Sequence, residues 1–244
     1  MNPASAPRAA RLSIDFAKSG PYFAGAFLIA LVAFWPTYFS QAPGASSTYT
    51  HLHAATATLW MLMLIAQPLL IRTRHLAWHR ALGKTSYGLV AAILASMVLL
   101  AHSRIQGLEG EAYGLQTYVL YLQVSLAAVF ALAYALALWT RRTMALHARF
   151  MICTGLTLVD PVVIRLMFWA DPTPTWNYQW FTFGLTDVIL LALIWLERDS
   201  RTGRRVFPAM LAVFVLAQGP ALFGLTRTSV WQAFARWFAA LPLT

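Results

Sequence analysis

Seven long apolar runs dominate this chain, at Tyr22–Phe39, His53–Ile71, Tyr87–His102, Val119–Trp139, Phe150–Trp169, Phe181–Leu196 and Phe207–Leu225. A helix needs about 20 mostly apolar residues to cross the roughly 30 Å hydrocarbon core of a bilayer. The runs are continuous rather than alternating, which is the pattern of helices and not of barrel strands. Backbone groups in lipid must be satisfied within their own segment, and an isolated span does this only as a helix. With 59% hydrophobic and 11% charged residues and a mean hydropathy of +0.61, too few charges remain to clothe a soluble protein of 244 residues. Soluble domains carry about 25% charged residues. A water-soluble globular enzyme, a disordered chain and a disulfide scaffold are thereby excluded. The expected fold is an all-α integral membrane bundle of seven helices. It reads as a single domain over 1–244, with an N-terminal segment 1–21 and a tail 226–244.

The links between the runs give an orientation. Segments 1–21, 72–86, 140–149 and 197–206 hold 14 of the 18 Lys and Arg, from Arg8, Arg11 and Lys18 through to Arg204 and Arg205. The alternate segments 40–52, 103–118, 170–180 and 226–244 hold only Arg104, Arg227 and Arg236, and Arg165 lies inside a run. Basic residues stay on the cytoplasmic side, so the N-terminus is expected inside and the C-terminus outside, in a bacterial inner membrane. The net charge of +10 is then explained by this bias and by anionic lipid headgroups. A nucleic-acid partner is not expected, because no basic surface with interleaved aromatics exists outside the links. Ser40-Gln41-Ala42, followed by Pro43, has the small-x-small form of a signal-peptidase site, but the preceding run is long and reads as a true span. Cys153 is the only cysteine, so no intramolecular disulfide forms.

A short internal repeat is present. Arg74, Ala77 and His79 recur as Arg142, Ala145 and His147, each 68 residues later. Spans two and three would then match spans four and five as duplicated helical hairpins. In the tail, Val230, Trp231, Phe234, Trp237 and Arg236 have the spacing of a short helix lying on the outer membrane face.

Three ionisable residues fall within the runs: Asp160 and Arg165 in the fifth, Asp187 in the sixth. Each would cost about 2.5–3.5 kcal/mol near the bilayer centre on insertion scales, so they must face protein and find partners. Asp160 and Asp187 come at matched depths on antiparallel neighbours. They are expected to share a proton or to bracket Arg165, with Arg165 reaching Asp187 or carbonyls of another helix. The alternatives are a structural ion pair and a proton-handling or ligand-binding centre. Polar residues also precede prolines at Gln67-Pro68, Asp160-Pro161 and Gln218-Gly219-Pro220, where kinks are expected against a polar interior. Arg149, Cys153, Thr157 and Asp160 share one helical face, as do His53, Thr56, Trp60 and Gln67, and both stripes should face inward.

The histidines sit at the span ends. His51, His53 and His102 lie toward the outer side, His79 and His147 toward the inner side, and His75 in an inner link. Neutral imidazole ligates haem iron and transition metals. An outer pair His53/His102 and an inner pair His79/His147 would suit two stacked haems, and His51, His53 and His102 would suit one metal ion. His51 and His53 are two apart and would diverge by about 200° on a helix, so they chelate one ion only if the helix starts after them.

The stretches His51-x-His53, Gln67-Pro68-Leu69-Leu70 and His79-Arg80-Ala81-Leu82-Gly83 resemble an uncharacterised group of bacterial multi-pass membrane proteins with an H-R-x-L-G turn. His147-Ala148-Arg149-Phe150-Met151 and Asp160-Pro161 through Arg165 resemble its second half, so the likeness covers about 115 residues. The paired histidines on a four-helix core are similar, more distantly, to the haem proteins of the cytochrome b561 kind. That resemblance implies haem b as cofactor and a quinone or a redox protein as partner. The leading expectation is thus a histidine-liganded haem or metal redox protein. A small-molecule or ion carrier using Asp160, Arg165, Asp187 and Gln218 is the alternative. A membrane-embedded zinc hydrolase using His51, His53 and Asp187 or His102, or a scaffold, is the third.

Overall fold

The computed structural model describes residues 15–42, 44–173 and 175–244. Arg8, Arg11, the rest of the segment before Asp15, and Pro43 lie outside the described residues.

Every described element is helical. A 3₁₀ turn, Phe16–Lys18, is capped by Asp15, which accepts from the Ala17 amide. Helix α1, Gly20–Phe34, starts with Pro21 in its first turn, where its missing N–H costs nothing. It widens into a π turn, Trp35–Phe39, at Pro36. Helix α2, Thr48–Arg72, is capped by Ser47 and continues through Pro68. A short link in which Arg74 takes a φ of 61° turns the chain into α3, Leu76–Ile105. Then follow α4, Gly110–Trp139, α5, Met144–Leu156, and α6, Val159–Ala170. Helices α5 and α6 form one span broken at Thr157-Leu158. Pro161 is the local cause: it offers no N–H to the Thr157 carbonyl and its ring crowds that oxygen. Helices α7, Gln179–Leu196, α8, Val206–Leu222, and α9, Ser229–Ala239, complete the chain.

Among the described residues, six helical segments are long and apolar enough to cross a membrane, and α8, also apolar, is shorter at 17 residues. Helices α3 and α4 each run 30 residues, about 45 Å. They begin well before the apolar runs at Tyr87 and Val119, because backbone hydrogen bonding continues into sequence too polar for hydrocarbon. Exposed residues on the helix sides are apolar, among them Leu59, Leu132, Val188 and Leu216. Such a surface belongs in lipid rather than water. Exposed Trp78, Trp139 and Trp195 ring one end of the bundle, beside the basic links. Trp35, Trp169, Trp180 and Trp237 ring the other, as aromatic belts do at the two interfaces of a bilayer.

The helices pack as a ring in the order α1, α2, α3, α4, α8, α7, α6, with α5 inside, against α2, α4 and α8. The largest core joins Val129, Ala133 and Ala137 of α4 to Phe150 and Cys153 of α5, Leu190 of α7 and Phe207, Met210 and Phe214 of α8. Helix α1 approaches α5 closely at Gly155, where a Cβ would stand 2.5 Å from Cε1 of Phe23. Helix α9 is docked on the bundle. Ala235 and Phe238 bury against Ala101, Ile105 and Leu120. The Trp231 indole donates to the Thr117 carbonyl at 3.0 Å. The tail helix therefore caps α3 and α4 in addition to presenting Val230 and Trp237 outward.

Candidate functional site

The break between α5 and α6 places Asp160 at the second residue of α6, inside the bundle. The residue is 9% exposed. Two residues of α7 hold it: Gln179 Nε2 donates to Oδ1 at 2.7 Å and Thr182 Oγ1 donates to the same oxygen at 2.5 Å. Neither bond uses Oδ2. The face of Arg149, Cys153, Thr157 and Asp160 does point inward, and all four are buried.

Asp160 lines a cavity between α4, α5, α6, α7 and α8, together with Ser125, Thr186 and Gln218 and an apolar wall that includes Leu156, Phe183 and Phe214. The cavity leaves about 20 Å³ for the centre of a water-sized sphere. That is room for one water or one ion. Gln218 reaches it from α8 while donating its Nε2 to Asp187 Oδ1 at 3.1 Å. The two in-span carboxylates thus take separate partners, Asp160 bonding Gln179 and Thr182 and Asp187 bonding Gln218, and the expected proton sharing or bracketing of Arg165 is not made among the described residues.

Arg165 sits five residues after Asp160. Its Nη1 donates to the Pro161 carbonyl at 2.6 Å, and its guanidinium lies 4.2 Å over the Phe34 ring. The expected reach to Asp187 or to another helix is not made. The carbonyl it finds is on its own helix, because a side chain three or four residues along lies directly over that turn. The positive charge remains near enough to act on both Asp160 and His53.

The histidines take separate partners. Helix α2 begins at Thr48, before His51 and His53, so the two rings diverge. His51 Nδ1 bonds the exposed Tyr38 hydroxyl at 2.9 Å. His53 Nδ1 bonds Ser96 Oγ at 3.2 Å, within a set that includes Thr56. His102 is fully buried, with Nδ1 2.6 Å from Thr244 Oγ1 and its ring edge-on to Phe238. Among the described residues, no three His, Cys, Asp or Glu side chains are grouped to hold a metal ion. The set His51, His53 and His102 is therefore not brought together. On the basic side, His147 Nδ1 donates to the Ala137 carbonyl at 2.9 Å. His79 pairs with the Gln67 backbone and feels the charge of His147, and its Nδ1 is buried without a hydrogen-bond partner.

One constellation escaped the sequence reading. Arg149, counted there with the basic links, is 3% exposed and pairs with Glu197 at the end of α7. Arg149 Nη2 also donates to Ser200 Oγ at 3.0 Å, and the guanidinium lies 4.6 Å over the Phe16 ring. The signal was present: Glu197 is an acid in a link otherwise rich in arginine, and Arg149 belonged to the inward stripe. Outside the spans, Tyr178 donates to Asp171 through both the carbonyl at 3.0 Å and Oδ2 at 2.8 Å. Burial first, then this hydrogen bond and the Asp171 charge, push its phenol above the ordinary 10.0.

Compared with known protein families, curated proteins and solved structures, the chain gives no match.

Proposed function

We propose that the chain is a seven-span protein of the bacterial inner membrane that carries a small molecule or ion through the polar centre at Asp160, Arg165 and Asp187. Helix α8 is the seventh span in this reading, since 17 residues rise about 26 Å and interfacial residues make up the remainder. The basic links lie in the cytoplasm, where they also hold anionic lipid headgroups. Helices α2 and α3, and α4 with the broken span α5–α6, are the two copies of a duplicated hairpin.

The observation that carries the proposal is a small cavity, with Asp160 among its lining residues, beside a helix broken within the membrane. A discontinuous helix at mid-membrane is the commonest device by which carriers expose backbone and acid groups to a cargo. Here Asp160 stands just past the break, and groups from α4, α7 and α8 face the same space. The experiment uses the full chain in proteoliposomes, with capacitive currents recorded on presenting panels of amino acids, organic acids and sugars. A substrate-evoked current that Asp160→Asn abolishes supports the carrier. No current with any solute, from folded protein, overturns it.

A second reading keeps His79 and His147 as haem or metal ligands serving a quinone or a redox protein. Its specific support is that each ring has a backbone carbonyl partner, the arrangement that fixes the tautomer of ligating histidines. A Soret band in the purified protein, lost in His79→Ala or His147→Ala, would replace the carrier by this reading.

A further inference from the structure

We infer that the cavity at Asp160 is a binding site for one alkali-metal cation, held by Asp160 Oδ2, Ser125 Oγ, Thr186 Oγ1 and Gln218 Oε1. The inference rests on the carrier reading and names its coupling ion.

The argument is an account of hydrogens. Four polar side chains line the cavity, and the hydroxyl hydrogens of Ser125 and Thr186 and one of the two amide hydrogens of Gln218 are committed elsewhere. Ser125 Oγ donates to the Leu122 carbonyl at 3.1 Å. Thr186 Oγ1 donates to the Thr182 carbonyl at 3.0 Å. Gln218 directs its amide nitrogen at Asp187 at 3.1 Å. A carboxylate acceptor there fixes the amide orientation and leaves Oε1, with the second amide hydrogen, unbonded. Asp160 spends Oδ1 on Gln179 and Thr182 and keeps Oδ2. A hydroxyl has one hydrogen and two lone pairs, and a carboxylate has lone pairs only. What Asp160, Ser125 and Thr186 offer the space is therefore oxygen lone pairs, with their own hydrogens turned elsewhere. Such a set repels a second acceptor and matches a particle that offers only positive charge.

Charge and size narrow the particle. The four ligands carry one formal negative charge, that of Asp160, which balances a monovalent ion. Calcium takes six to eight oxygens, often with several carboxylates, and magnesium keeps several waters. A site with a single carboxylate leaves either divalent ion under-compensated. The two ends of the broken span offset each other: Leu156, the last residue of α5, brings a negative helix end to the cavity, and Asp160, in the first turn of α6, stands at a positive one. Asp187 acts as a positioning residue through Gln218 and does not touch the ion.

The test is equilibrium binding of radioactive sodium to the purified full chain, paired with thermal unfolding in NaCl, KCl or choline chloride at equal ionic strength and fixed pH. The expected result is one saturable ion per chain and a midpoint raised by Na⁺ or K⁺ but not by choline. Asp160→Asn should abolish both effects. Ser125→Ala and Thr186→Val remove one neutral oxygen each without adding bulk, and each should weaken binding about tenfold. Asp187→Asn should weaken binding by freeing the Gln218 amide to turn. Folded protein with no saturable site and no alkali-specific stabilisation overturns the inference. Stabilisation that follows pH alone also overturns it, by assigning the site to a proton, while solute currents would leave the carrier standing. Cation binding without any solute current would keep the site and remove the carrier.

Discussion

Arg149 on α5 and Glu197 at the end of α7 form an ion pair in which both side chains are almost fully buried, at 4% and 1% exposure. The pair joins the central helix to the ring at the basic end of the bundle. Phe16 covers one side of the guanidinium and Ser200 takes a further donor. Breaking a buried pair typically costs about 3–5 kcal/mol. Arg149→Met and Glu197→Gln should each lower stability, the arginine change more, because the glutamine still accepts hydrogen bonds. Unfolding in mixed detergent micelles measures this. An Arg149→Met protein as stable as the parent would show the pair to be unimportant.

Gly203 packs against the same arginine. Its φ is +91°, and a Cβ there would stand 2.8 Å from Arg149 Nη1. A side chain would pay for the left-handed backbone, about 1–3 kcal/mol, and would also push the guanidinium off its partners. Gly203→Ala should therefore destabilise, and its effect should be smaller in an Arg149→Met background, since the two share one contact. Equal effects in both backgrounds would place the whole cost in the backbone.

His102 ties the end of the chain to the bundle. Thr244 Oγ1 donates to Gln106 Oε1 at 3.1 Å, so the histidine Nδ1 donates in turn to Thr244. His102→Ala removes that anchor and the edge-on contact with Phe238. Backbone amides of Ser229–Ala239 should then exchange faster with solvent deuterium, with helices α5 to α8 unchanged. Unaltered exchange in α9 would mean that Trp231 and Gln232, bonded to Thr117, suffice to hold it.

Tyr178 gives a pH dependence with a definite sign. Its neutral phenol is favoured in the folded protein, first by burial and then by Asp171. The folded value therefore lies above the unfolded one near 10.0. The stability this group contributes is complete below pH 10 and is lost as pH rises through the folded value. Tyr178→Phe should remove that alkaline loss, along with one late-titrating component of the ultraviolet tyrosinate signal. An unchanged alkaline limb would assign it to other groups.

Much of this architecture is legible from residue order alone. The apolar runs dictate helices in lipid, because an unpaired backbone group there has no water to bond. Pro161 marks a position where the fifth span should kink, because a ring without an N–H cannot serve the turn before it; that the span breaks there, while α2 runs on through Pro68 and α8 through Pro220, is not legible in the order of residues. The stripe Arg149, Cys153, Thr157 and Asp160 dictates which side of the fifth span turns inward. Which partners those side chains find is decided only by tertiary packing. Helices that are apolar on every side carry little record of their rotation, so residues such as Glu197 and Gln218 have no visible mates along the chain. The packing of α7 and α8 brings Glu197 to Arg149 and Gln218 to Asp187, and the start of α2 at Thr48 sends His51 and His53 apart. A few residues of helix length or some tens of degrees of rotation separate these outcomes, and only the assembled bundle fixes them.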